Sequence, residues 1–112
     1  MRKIDDVPGV DEPTIVAVIG SSRFKQAHLG VHQRETLLGK IVLGYGFYHH
    51  VDMVPLTDKD KSRLDELNAH KVRIADEVIV VNIHGYIGEA TRRLIRVAES
   101  LDKPVRYLEE NR

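Results

Sequence analysis

The sequence predicts a single α/β domain, a parallel sheet of at least four strands with helices on both faces. Three observations predict it. Two continuous runs rich in β-branched apolar residues, Thr14 to Ile19 and Glu77 to Val81, suit strands buried on both faces. Segments of helical period separate the strands. The resulting order, β-α-β-α-β-α-β, requires crossover connections, and right-handed crossovers give a parallel sheet.

Residues 1 to 13 carry charges, Pro8-Gly9 and Pro13, with few apolar positions, and read as an arm folded on the body or on a partner subunit. Residues 14 to 112 form the α/β domain. Thr14 to Ile19 is the expected central strand. From Phe24 to Gly39 a weak helical pattern runs through Phe24, Ala27, His28, Val31 and Leu37-Leu38, with Gly39 as its stop. Ile41 to Tyr45 reads as a short second strand and Gly46 to Pro55 as a loop rich in aromatic residues. Thr57 with Asp60 three positions on resembles a capping box and opens a helix to about Ala75, with Leu64, Leu67, Lys71, Val72, Ile74 and Ala75 as its buried stripe. The strand Glu77 to Val81 ends in the loop Asn82 to Gly88. A last helix, Glu89 to Leu101, places Ala90, Leu94, Ile95, Val97, Ala98 and Leu101 on one face. Lys103-Pro104 breaks it before a fourth strand, Val105 to Leu108.

Composition narrows the function. Lys plus Arg and Asp plus Glu number 17 each, so the chain has no net field for a nucleic-acid polymer or an acidic membrane, although a free nucleotide needs only a local positive site. The absence of cysteine removes disulfides, thiolate nucleophiles and sulfur-ligated zinc. No apolar run approaches the ~20 residues of a membrane span, and Met1 to Asp6 lacks the apolar core of a signal peptide, so a cytoplasmic location is expected.

Ligands of parallel α/β sheets sit beyond the carboxyl ends of the strands, where the strand order reverses. The loops at residues 20–24, 46–55 and 82–88 all fall at that edge. Gly20-Ser21-Ser22-Arg23 has the residues of a phosphate cradle, with Gly20 admitting close backbone approach, hydroxyls from Ser21 and Ser22, and Arg23 as a bidentate clamp. The plainer reading is a strand-to-helix turn with a serine N-cap. An arginine in the first helical turn opposes the helix dipole unless an anion offsets it, which favours the cradle. Neither the dinucleotide fingerprint nor the Walker pattern is present, so no nicotinamide cofactor and no ATP hydrolysis of those classes is expected. Gly85 to Glu89 brings a second helix start to the same edge, as a ligand loop or as a flexible turn with Glu89 complementing the dipole. His49, His50, His70 and His84 raise a metal site. Adjacent histidines on an extended loop point apart and no carboxylate-rich pair stands beside them, so no metal is expected, and a single histidine as ligand donor or proton carrier is preferred. Arg92, Arg93 and Arg96 read as a solvated face paired to Glu89 and Glu99, with Arg92 near enough to the helix start to reach a second phosphate.

Across residues 14–108 the chain resembles the nucleoside 2-deoxyribosyltransferase-like family, including its nucleoside 5'-monophosphate N-glycosidases. The likeness rests on the opening strand with Gly20-Ser-Ser-Arg23, on His49-His50-Val51, on Ala75-Asp-Glu-Val-Ile-Val-Val81, on the turn 85–88, and on Ala98 followed by Lys103-Pro104-Val105. It implies a Rossmann-like (flavodoxin-like) three-layer domain assembled as a dimer or higher homo-oligomer. It also implies a nucleoside or nucleotide ligand whose N-glycosidic bond reacts, with no cofactor. Carried over by position, Ser21, Ser22 and Arg23 correspond to 5'-phosphate contacts, and His50 to a histidine of the second loop. Asn68 falls where family members place an Asp near sugar or base. The family nucleophile, a Glu four residues before the small residue seen here as Ala98, falls on Leu94.

Leucine cannot attack an anomeric carbon, nor can Asn68 serve as a carboxylate. The resemblance therefore implies a binding protein for a nucleoside 5'-monophosphate or related ribosyl phosphate. Its phosphate would lie on Gly20, Ser21, Ser22 and Arg23, and the rest of the ligand among Phe24, Asn68, Asn82, Gly85, Tyr86, Gly88 and Arg92. The alternative is an active N-glycosidase or deoxyribosyltransferase using Glu89 as nucleophile or base and His50 as proton carrier. Glu89 stands about 140° around the helix from position 94. A purely structural interaction module is the third class, but glycines and hydroxyls concentrated at one sheet edge are unnecessary for packing. The segment Tyr45 to Tyr48 and the N-terminal arm are the expected subunit contacts.

Overall fold

The computed structural model describes residues 12–110, so residues 1–11 of the expected arm lie outside the described residues. The elements are β1 (Ile15–Gly20), α1 (Lys25–Leu37), β2 (Ile41–Leu43), α2 (His49–Asp52), α3 (Asp58–Ile74), β3 (Glu77–Val81), α4 (Glu89–Ser100) and β4 (Val105–Tyr107), with a 3-10 turn at Ile83–Gly85. The four strands form one all-parallel sheet in the order β2-β1-β3-β4. The chain leaves β1 toward β2 on one side and returns to β3 and β4 on the other. The strand order thus reverses between β1 and β3, which opens a crevice at their carboxyl ends.

Alternation along β1 serves both layers. Ala17 and Ile19 pack with Val72, Ala75, Leu94, Ile95 and Ala98 beneath α3 and α4, while Val16 and Val18 pack with Val31 of α1. This two-sided burial is why the run had to be apolar at every position. The result is the expected three-layer, Rossmann-like α/β domain. No described helix is long and apolar enough to cross a membrane.

The helices differ from the apolar reading in instructive ways. The buried side of α1 is His28, Val31 and Glu35, while Leu37 and Leu38 are exposed, so two polar residues do the work that an apolar stripe was expected to do. At the end of α3, Val72 and the following Ala75 are buried against β1 and α4, whereas Leu67 and Ile74 face solvent. On α4, Thr91 is buried with Leu94, Ile95 and Ala98, whereas Ala90 and Leu101 are exposed. The capping box of α3 forms as expected: the Asp60 N–H donates to Thr57 Oγ1 at 3.0 Å and the Thr57 N–H to Asp60 Oδ2 at 3.1 Å.

β2 ends at Leu43 instead of running to Tyr45, and the loop that follows contains the one-turn helix α2. Asp52 organises that turn by accepting the Tyr48 N–H at 2.9 Å and pairing with Lys25 at 2.6 Å. His49 and His50 are consequently helical neighbours, with ring centroids 4.2 Å apart, and do not diverge as an extended loop would make them. Tyr45 and Tyr48 pack their rings onto His28, at 5.0 and 5.2 Å, with Tyr48 buried and Tyr45 half-buried.

Away from the crevice, Glu35, 1% exposed, accepts bonds from Lys40 at 2.9 Å, Arg34 at 3.0 Å and Arg106 at 3.1 Å. Lys40 and Arg106 also reach Glu77, at 2.9 and 2.6 Å. Burial pushes the Glu35 carboxyl up, but its three cationic partners outweigh burial and hold it at about 2.

Candidate functional site

β1 ends in a backbone conformation that only glycine enters freely. Gly20 has φ +140, and a Cβ there would lie 2.5 Å from the Val81 carbonyl oxygen. The close approach that demands glycine is therefore to β3. Both polar groups of Gly20 go to one side chain: its N–H donates to Tyr45 Oη at 2.9 Å, and the Tyr45 hydroxyl donates to its carbonyl at 2.8 Å. The Ser21 carbonyl then accepts the Phe24 N–H at 3.2 Å, and Ser21 Oγ accepts the Arg23 N–H at 3.3 Å. The N-cap of α1 is Phe24, which supplies no capping side chain, and the first turn of α1 contains no acidic residue. A serine N-cap is thus not what the two hydroxyls provide.

Facing this loop across the crevice stands α2. Ser22, 7% exposed, is hydrogen-bonded to His50 Nδ1, with His49 Nδ1 at 3.5 Å. Burial lowers the His50 pKa, and the neighbouring His49, Arg23 and Lys61 lower it further. Arg23 and Lys61 thus put two cationic side chains beside it in a chain of zero net charge. The Arg23 guanidinium lies 4.7 Å from the Tyr86 ring centroid, and the edge of Phe24 meets that ring at 6.0 Å.

Between these parts lies a cavity of about 310 Å³. Its polar end is built from Gly20, Ser21, Ser22, Arg23, His50 and Lys61, and its apolar wall from Phe47, Leu56, Leu64 and Leu94. Tyr45, His49, Asn68, Tyr86, Gly88, Ala90, Thr91 and the carboxylates of Asp65 and Glu89 also line it. Of the residues singled out in the sequence, this edge therefore brings together Gly20 to Arg23, His50, Asn68, Tyr86, Gly88 and Glu89. Phe24 touches the group through Tyr86.

Others lie elsewhere. Asn82 is fully buried and splices the C-terminal segment to the loop after β3, its amide donating to the Glu109 carbonyl at 3.1 Å and its oxygen accepting the Glu109 N–H at 2.9 Å. Gly85 and Arg92 line a separate crevice with Arg96 and Tyr107, so Arg92 does not line the main cavity. Glu89 is 70% exposed and pairs loosely with Arg96 at 3.5 Å. Arg93 pairs with Asp65 at 3.2 Å. Among the described residues no three His, Asp or Glu side chains gather in a metal-holding group.

Lys61, Leu64, Asp65 and Asn68 were the lining residues least visible in the sequence. Their spacing puts them on one face of α3, which is the face turned to the cavity. The sequence marks Asn68 as a site position and Leu64 as core. The arrangement can seat one anion at the polar end and an apolar or aromatic group against Leu56, Leu64 and Leu94. Neither a protein-family model nor a curated relative matches the chain.

Proposed function

We propose that this cavity binds a nucleoside 5'-monophosphate or a related ribosyl phosphate, and that the protein is a deoxyribosyltransferase-like fold that has kept ligand binding without the family's nucleophile. The observation that carries the reading is the cavity at the strand-order reversal, whose lining joins the Ser22–His50 pair, Arg23 and Lys61 with the apolar side chains of Leu56, Leu64 and Leu94. Its volume of about 310 Å³ suits one compact ligand and is small for a dinucleotide. Phosphate would take its bonds from the Ser21 and Ser22 hydroxyls, the Arg23 fork and the ammonium of Lys61. A neutral His50 and Ser22 share one donor toward the phosphate: either Nδ1–H donates to Ser22 Oγ and the serine hydroxyl turns to the phosphate, or Ser22 donates to Nδ1 and Nε2–H faces the ligand in its place. Leu94 forms part of the wall where the family resemblance would place a carboxylate, which supports binding over turnover.

The second reading is favoured by one observation: Glu89 also lines the cavity, at the start of α4. There it would attack the anomeric carbon as the N-glycosidic bond breaks, with His50 handing a proton to the departing base and water then hydrolysing the glycosyl ester, or it would deprotonate a water that displaces the base directly. In either reading the chain works in the cytoplasm as a homo-oligomer, to be checked by sedimentation. Incubation with a panel of ribo- and deoxyribonucleoside 5'-monophosphates, followed by chromatography for free base, separates the two. Thermal stabilisation without base release supports the binding protein. Base release that Glu89→Gln abolishes supports the enzyme. Arg23→Ala removes nucleotide-induced stabilisation in both, and stabilisation that survives this change overturns both.

A further inference from the structure

We propose that His28 and Tyr45 are positioning residues for the anion end of the cavity, acting through the backbone of Gly20 and Ser21; this rests on the binding reading above. Neither the composition nor the family resemblance assigns them such a role. Three segments meet here. Tyr45, in the connection after β2, holds both the N–H and the carbonyl of Gly20. His28, on α1, donates from Nε2 to the Ser21 carbonyl at 3.1 Å, since a carbonyl can only accept. Tyr48, 5% exposed, packs its ring 5.2 Å from His28 and 6.2 Å from Tyr45, and its chain continues directly into His49 and His50.

The cluster therefore fixes two loops against each other. From its Gly20 and Ser21 anchors extend Ser22 and Arg23, and from its Tyr48 anchor extends the histidine that meets Ser22. An anion site needs those groups held in place before the ligand arrives, because donors that must be ordered on binding give up part of their bond energy to the ordering. His28 is 1% exposed, and its Nδ1 has no hydrogen-bond partner among the described residues. A buried polar atom left without a partner is a cost that core packing alone does not require. The Nε2 bond to the Ser21 carbonyl gives an imidazole at this position its use. Burial lowers the His28 pKa, with the Ser21 and Gly20 backbone acting in the opposite direction, so the ring is neutral with Nε2 as the donor at neutral pH. Burial likewise pushes the Tyr45 hydroxyl up to about 12, so it stays a donor.

The test is an NMR titration of the full chain with inorganic phosphate at neutral pH, following the amides of residues 21–23. Tyr45→Phe and His28→Leu are expected to weaken phosphate about tenfold and to shift the Ser21 to Arg23 amides in the free protein, leaving those of α4 in place. His28→Gln, which can still present a donor to the Ser21 carbonyl, is expected to restore most of the affinity. In an Arg23→Ala background, Tyr45→Phe should weaken phosphate no further, because both act through one loop. If Tyr45→Phe does not fold, the His28 pair decides alone. Wild-type affinity in Tyr45→Phe and in His28→Leu, with affinity lost in Arg23→Ala, overturns the positioning role and leaves the binding reading intact. Wild-type affinity in Arg23→Ala overturns the binding reading and the positioning role together.

Discussion

At Gly20 one absent methyl group decides how closely β1 and β3 can run. A Cβ would meet the Val81 carbonyl oxygen at 2.5 Å, with φ +140 adding strain. Gly20→Ala is therefore expected to cost about 3 kcal/mol, read as a lower urea midpoint at unchanged slope. The sequence singled out this glycine but for a different neighbour, since no pattern of residues reveals that a strand and not a ligand fills the space. His28 was legible only as a helical position. Its burial depends on Tyr45 and Tyr48, which lie 17 and 20 positions further along the chain. The ring is neutral in the fold and charges more readily in the unfolded chain, so the unfolded state binds more protons. Its contribution is complete above about pH 6.5 and declines as pH falls below that value. His28→Gln should accordingly flatten the dependence of stability on pH just below 6.5, measured by urea unfolding across a pH series.

At the scale of elements, the segments that follow one rule throughout were the easiest to read. β3 keeps the expected bounds because every residue from Val78 to Val81 is buried, and α3 starts where its capping box starts. Thr57→Ala should remove about 1 kcal/mol, by leaving the Asp60 N–H without its side-chain acceptor. α1 and α2 were harder for physical reasons. α1 buries His28 and Glu35 through specific bonds, so its apolar pattern is weak although its packing is firm. α2 is too short to have a period, and its turn is held by Asp52, which bonds the Tyr48 N–H and Lys25 of another element. This is also why the closeness of His49 to His50, and of His50 to Ser22, was invisible in the sequence: an extended loop and a single helical turn share the same residues but send successive side chains in different directions.

For the molecule as a whole, the sheet holds its candidate cavity in one place and its ion network in another. Glu35 with Lys40, Glu77 and Arg106 come from three separate stretches of chain, so the bonds that join these stretches form only when α1 and the strands are assembled. With the Glu35 carboxyl held at about 2, the folded state binds fewer protons than the unfolded one. Its contribution, on the order of 3 kcal/mol, is present above the usual glutamate range and is lost as pH falls from about 4.5 toward 2. Glu35→Gln should lower stability by about 3 kcal/mol at pH 7 and flatten that acid limb in chemical unfolding. The α/β class and the edge at which the site lies were legible because topology alone dictates them. The network and the aromatic cluster were not, because they join residues whose distance in sequence has no period.

The central claim is that the polar end of the cavity holds a phosphate. Its most direct measurement is an NMR titration of the protein with a nucleoside 5'-monophosphate beside the same nucleoside lacking the phosphate. The account predicts saturable shifts at Ser21, Ser22, Arg23, His50 and Lys61 with the monophosphate, and their near absence with the nucleoside. Equal shifts with both ligands, or monophosphate shifts confined to the crevice of Arg92 and Arg96, would contradict it.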